Sequence, residues 1–295
     1  MTFTLPSLRK TCAVVALAAI AAISLIAPSA ASADIAVATG QKVAFLGDSI
    51  TANGWNKPAG YVRLVVAGLA ANNVTVTPVP AGISGHMSTD MLKRLDRDVL
   101  SKKPDWMTLS CGVNDVWHGA NGVDLESYKT NITSIVDQCQ AAKIKVILLT
   151  STPIYEDLTG PNNVKLADYN KFLRDLATQK SCPLADLSAM FVDAIGKKTV
   201  KTNAFTVDGV HMNPAGDFIM AEGILRAMGL NDAAIATANA NWMDIPGGVP
   251  VMVTIPMTPR QWFALNTQAT AAGKDVPTFV AARAGDALQA EMPAK

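Results

Sequence analysis

The sequence predicts an α/β protein whose parallel sheet is covered by helices on both faces, and three observations lead there. From Lys42 onward, short apolar runs alternate with segments of helical period. The runs are nearly continuous in apolar residues, which marks strands buried on both faces rather than on one. At 295 residues and 49% hydrophobic, the chain can bury enough surface to offset its conformational entropy, so disorder is excluded as its main state.

The candidate strands are, in order, Val43 to Leu46, Val74 to Val79, Trp106 to Cys111, Val146 to Thr150 and Leu184 to Leu187. Between them, Val62, Val65, Val66 and Leu69 repeat at helical spacing. So do Tyr128, Ile132, Ile135, Val136 and Cys139, and then Leu166, Tyr169, Leu173 and Leu176. Such stripes are the sheet-facing sides of helices. Ligands of parallel sheets bind beyond the carboxyl ends of the strands, so the residues just after each strand are where chemistry is expected.

Residues 1–33 read as a secretory signal peptide: Arg9 and Lys10 precede an apolar run from Cys12 to Ala27, followed by Pro28 and a cleavage site at Ala31-Ser32-Ala33. The alternative is an N-terminal membrane anchor, for which the run is short. Cleavage near Ala33 takes away two basic and no acidic residues, so the formal charge of +1 becomes −1. The mature protein is then expected to be soluble and secreted or periplasmic, with no stable membrane insertion. So small a charge gives no electrostatic reason to bind nucleic acid. The main domain is expected over 34–230, a small-residue, Ala/Asn-rich linker over 231–248, and a strand-helix-helix extension over 249–295. In the extension, Val249 to Ile255 is β-like. Thr258-Pro259-Arg260-Gln261 opens a helix with a capping box, Gly273 ends it and Pro277 opens the next. That order is similar to ribbon-helix-helix dimers, but the segment lacks their basic footprint. A packing or homodimerisation appendage is expected, with a loosely tethered helical tail as the alternative.

Four short motifs carry the chemistry. The first strand runs into Gly47-Asp48-Ser49, the second into Ala81-Gly82-Ile83-Ser84-Gly85-His86, and the third into Gly112-Val113-Asn114-Asp115. Asp208-Gly209-Val210-His211 follows late in the domain. Each alone also reads as an ordinary turn or helix cap. Together they supply a nucleophile, oxyanion donors, and a base with a carboxylate three residues before it, which are the parts of an acyl-transfer site. The chain holds only three histidines, so a general base has few alternatives.

On these four motifs the chain resembles the SGNH, or GDSL-type, hydrolases, acetyl-esterase-like members included, from roughly Lys42 to Gly229. The resemblance implies Ser49 as nucleophile, His211 and Asp208 as base and orienter, and an oxyanion hole of Ser49, Gly85 and Asn114. It also implies a three-layer α/β/α fold of flavodoxin type and neither metal nor organic cofactor. The expected activity is that of an exported serine esterase on small-molecule or carbohydrate esters, acetyl or short-chain ahead of long acyl chains. A lipase, lysophospholipase or thioesterase of the same family is one alternative. A non-catalytic carbohydrate-binding protein on the same scaffold is another. His86 and the pair Trp117-His118 are candidate pocket residues, or else loop residues with no substrate contact. Three cysteines remain after cleavage. Any disulfide is expected to join Cys139 to Cys182, leaving Cys111 a buried thiol; the alternative is that Cys139 is a core thiol as well.

Overall fold

The computed structural model describes residues 35–198, 203–245 and 254–291, so residues 1–33, expected as a signal peptide, lie outside them. The elements run β1 (Lys42–Gly47), α1 (Ser49–Asn56), α2 (Tyr61–Ala71), β2 (Thr77–Gly82), α3 (Ser88–Asp98), β3 (Trp106–Ser110), α4 (Val113–Trp117), α5 (Leu125–Ala141) and β4 (Lys145–Leu149). They continue with α6 (Pro161–Gln179), β5 (Leu184–Ala185), α7 (Leu187–Lys197), α8 (Pro214–Ala227), α9 (Asp232–Trp242), α10 (Pro259–Ala271) and α11 (Val276–Glu291).

All strand pairs are parallel, in the order β2-β1-β3-β4-β5. Central β1 and β3 are buried almost throughout, as their continuous apolar sequences require. Edge strand β2 accommodates Pro78 and Pro80, which an edge allows because it need not donate every ladder hydrogen bond. Its ladder begins at Thr77, three residues later than Val74. The helices form two groups: α2 packs on α8 and α9, and α7 on α8, while α3 packs on α5 and α5 on α6. This is the doubly covered, flavodoxin-type α/β/α sheet. Strand order reverses between β1 and β3, so the crevice for a ligand opens where their carboxyl ends diverge.

Two expectations are corrected. The stretch expected as a linker carries α9, an 11-residue helix that buries Ala234, Ile235, Ala238 and Trp242, with the Trp242 indole N–H donating to the Leu64 carbonyl at 2.8 Å. Alanine is the best helix former, and its small side chain lets α9 lie close against Gly68 of α2. The compact unit therefore continues past 230, and the chain divides at Gly248 and Val249. The Cys139–Cys182 disulfide is absent: all three described cysteines are buried thiols. Helix α5 turns Cys139 toward Met107 of β3, with the sulfurs 3.8 Å apart, whereas the Cys182 sulfur is engaged by the Gln140 amide at 3.6 Å.

In the second unit, Thr258 and Gln261 form the capping box of α10, and Ala269 and Phe279 are buried. Of the β-like run Val249 to Ile255, residues 249–253 lie outside the described residues, and Thr254 and Ile255 form no strand.

Candidate active site

Strand β1 delivers Gly47 to the carboxyl edge of the sheet, where the Asp48 carboxylate caps α1 by accepting the Ile50 N–H at 2.9 Å. Ser49 is thus the first residue of α1. A Cβ on Gly47 would lie 1.9 Å from Thr51 Oγ1, so only glycine lets the helix start this close to the strand. Burial pushes the Asp48 carboxyl up to about 6, against the pull of the Ile50 N–H.

From the far end of the domain, the loop before α8 brings His211 to Ser49, with Nε2 2.8 Å from Oγ. Its Nδ1 lies 2.6 Å from Asp208 Oδ2, while Asp208 Oδ1 accepts the main-chain N–H groups of Val210 at 3.0 Å and His211 at 2.8 Å. Partial burial works against ionising Asp208. The hydrogen bonds from His211 and Val210 outweigh it and hold the carboxyl below the usual range. An ionised carboxylate can only accept, so Nδ1 carries the imidazole proton and Nε2 faces the serine as a base. The Val207 N–H donates to the His211 carbonyl at 2.8 Å, and Thr206 bridges to Met212, so the loop is closed on itself.

Gly85 follows β2 with φ +77°, and nothing lies within 4 Å of where a Cβ would be, so its outer face is open to a ligand. Asn114, buried on α4, donates from Nδ2 to the His86 carbonyl at 3.1 Å. An amide has two N–H groups, so one remains for an oxyanion. Asp115 is fully buried, accepting the Ser88 N–H at 3.0 Å and the Cys111 thiol at 3.4 Å, and its carboxyl is raised by desolvation. It ties the start of α3 to α4.

Arg94, only 5% exposed and part of none of the four sequence motifs, organises this edge. Its guanidinium donates to the Gly47 carbonyl and the Ala81 carbonyl, both at 2.8 Å, to Asp98 at 2.8 Å, and to His86 Nδ1 at 3.0 Å. Arginine only donates, so His86 Nδ1 is bare and its hydrogen sits on Nε2. Burial first, and then the Arg94 charge, lower the His86 pKa and keep the ring neutral. In the sequence, Arg94 stands as a charge within the apolar stripe of Met91 and Leu95. His118 donates Nδ1–H to the Asn114 carbonyl at 2.8 Å and closes α4. Trp117 stands exposed beside it, edge-on to Tyr155, which no sequence motif singled out. The described residues include no group of three or more His, Cys, Asp or Glu side chains suited to a metal ion.

Residues 45–217 match the sequence model of the GDSL-like lipase/acylhydrolase family. An acetylxylan esterase from Geobacillus stearothermophilus is 30% identical over 212 residues, which are 65% of this chain and 96% of that enzyme. The crystal structure of Axe2, an acetylxylan esterase from that organism, aligns with a TM-score of 0.61 at 29% identity, covering 66% of this chain and 97% of Axe2. The uncharacterized lipoprotein YqeF of Bacillus subtilis is 27% identical over 170 residues, 49% of this chain and 70% of that protein.

Proposed function

We propose, from the premise that this chain belongs to the GDSL-like lipase/acylhydrolase family and is a carboxylic ester hydrolase, that it is an exported serine esterase cleaving acetyl or other short-chain esters of carbohydrates. The observation that carries the mechanism is the continuous chain Asp208–His211–Ser49, with contacts of 2.6 and 2.8 Å. His211 Nε2 takes the Ser49 proton as Oγ attacks the ester carbonyl. The oxyanion is held by the Ser49 and Gly85 N–H groups and the free Asn114 amide N–H. As the tetrahedral intermediate collapses, the C–O bond to the alcohol breaks and His211 returns the proton to the leaving oxygen. Water then repeats the steps on the acyl-serine and releases the acid.

The test is hydrolysis of acetate, butyrate and palmitate esters by wild type and Ser49→Ala. Turnover confined to short chains and lost in Ser49→Ala is expected. Palmitate as the best substrate would replace this reading with a lipase, and undiminished turnover in Ser49→Ala would remove Ser49 from the mechanism.

Export is supported by the composition of residues 1–33 and by the likeness to a lipoprotein. Among the described residues no helix is long and apolar enough to cross a membrane. N-terminal sequencing of the exported protein should begin near Asp34. The C-terminal unit is proposed as a homodimerisation appendage, supported by its exposed Trp262, Phe263 and Leu288. Equal sedimentation mass with and without residues 249–295 would remove that role.

A further inference from the structure

The loop between β4 and α6 places Tyr155 in the left-handed region, at φ +55°, where a bulky side chain is disfavoured. Two contacts hold it there. Its N–H donates to the Gly209 carbonyl at 2.6 Å, and its ring occupies the space a Cβ on Gly209 would need, since such an atom would lie 2.2 Å from Tyr155 Cδ1. Tyr155 is therefore seated on the turn between Asp208 and His211. Trp117 lies one turn beyond Asn114 on the same short helix and reaches the Tyr155 ring. The two rings meet edge to face, with centroids 6.3 Å apart and planes at 89°, and remain 38% and 45% exposed. Neither the Trp117 indole N–H nor the Tyr155 hydroxyl has a protein partner among the described residues.

A hydrocarbon chain favours enclosing apolar walls and has no use for free polar tips. A sugar ring has an apolar face of C–H groups and a rim of hydroxyls, which suits open aromatic faces that end in hydrogen-bonding groups. The geometry points to Trp117 and Tyr155 as a saccharide subsite that holds a pyranose ring of the ester's alcohol side against the Asp208–His211 turn. This rests on the carbohydrate-esterase reading and assigns the residues that take the alcohol side of its ester. Tyr155 accepts a strained backbone because its ring must stand over Gly209. Such strain persists only where the surroundings over-determine it.

The experiment compares kcat/KM for an O-acetylated xylo-oligosaccharide with that for ethyl acetate, followed by proton release, in full-length wild type, Tyr155→Ala, Trp117→Ala and Trp117→Phe. Ethyl acetate has no ring to stack. Each alanine variant is expected to lower the ratio of saccharide to ethyl acetate efficiency about tenfold, mainly through KM, and Trp117→Phe should recover most of it. The deacetylated oligosaccharide should also inhibit ethyl acetate hydrolysis less well in Tyr155→Ala than in wild type. A ratio unchanged in both alanine variants would overturn the subsite while leaving the esterase intact. Wild type that cleaves neither ester would overturn the esterase reading and the subsite together.

Discussion

Replacing Arg94 by methionine keeps the aliphatic bulk of the side chain and removes the guanidinium, whose hydrogen bonds reach the ends of β1 and β2 and the His86 ring. Asp98 retains two contacts from Arg97, at 2.6 and 2.9 Å, so the loss falls on the other acceptors. The Gly47 carbonyl still accepts the Ile83 N–H at 3.1 Å, and part-exposed His86 can turn to water. The Ala81 carbonyl, opposite Leu46 in the parallel ladder, likewise keeps the Gly47 N–H as a donor. The loss is therefore of three hydrogen bonds, to Gly47, Ala81 and His86, at about 0.5–1.5 kcal/mol each. A total of about 2–4 kcal/mol corresponds to a fall of roughly 5–15 °C in Tm for a domain of this size. The released strand ends carry the turns to Ser49 and Gly85, so kcat should also fall, by as much as about 100-fold for a misplacement near 1 Å. Thermal unfolding followed by circular dichroism, with kcat on a short-chain ester measured well below Tm, provides the assay. Arg94→Lys should recover only part of either loss, because an ammonium cannot reproduce the planar fork. A Tm within about 2 °C of wild type together with an unchanged kcat would refute the argument that Arg94 organises this edge.

Asn114→Ala should lower kcat by roughly 10²–10³ with KM little changed, since an oxyanion donor acts in the transition state; a change confined to KM would argue for ground-state binding instead. Burial pushes the Asp217 carboxyl up to about 7, although it accepts the Tyr61 N–H and lies near Lys57. A carboxyl raised above its unfolded value stabilises fully below about pH 4 and loses that contribution as pH rises through about 7. Asp217→Asn keeps the acceptor and cannot ionise. It should therefore gain stability over wild type between pH 4 and pH 8, bounded by about 4 kcal/mol for a shift of about three units, and equal Tm differences at the two pH values would contradict this. Trp242→Ala should cost about 3–5 kcal/mol, because α9 is part of the core. An unaltered Tm would return that segment to the status of a linker.

What the sequence determined by itself is whatever depends on near neighbours along the chain. Continuous apolar runs at Val43 to Leu46 and Trp106 to Cys111 specify buried parallel strands, and the turns after them carry Ser49 and Asn114 by covalent connection alone. Asp208 and His211 are three residues apart, so one turn suffices to join them, and the motifs could single out both. Only the tertiary structure decided which distant surfaces meet. The composition of α9 is that of a linker until Gly68 is seen to leave room for it, because burial is a property of the neighbour as much as of the segment. Cys139 and Cys182 look pairable from strand order, yet helix rotation turns one sulfur to Met107 and leaves the other with Gln140. Arg94 and Tyr155 show the same limit. A guanidinium on an apolar stripe, or a tyrosine in a loop, acquires its role from groups brought near by packing: Gly47 and Gly209, 47 and 54 residues away. Local periodicity and turn chemistry encode the scaffold and the reactive groups, whereas what positions and surrounds them arises from long-range packing.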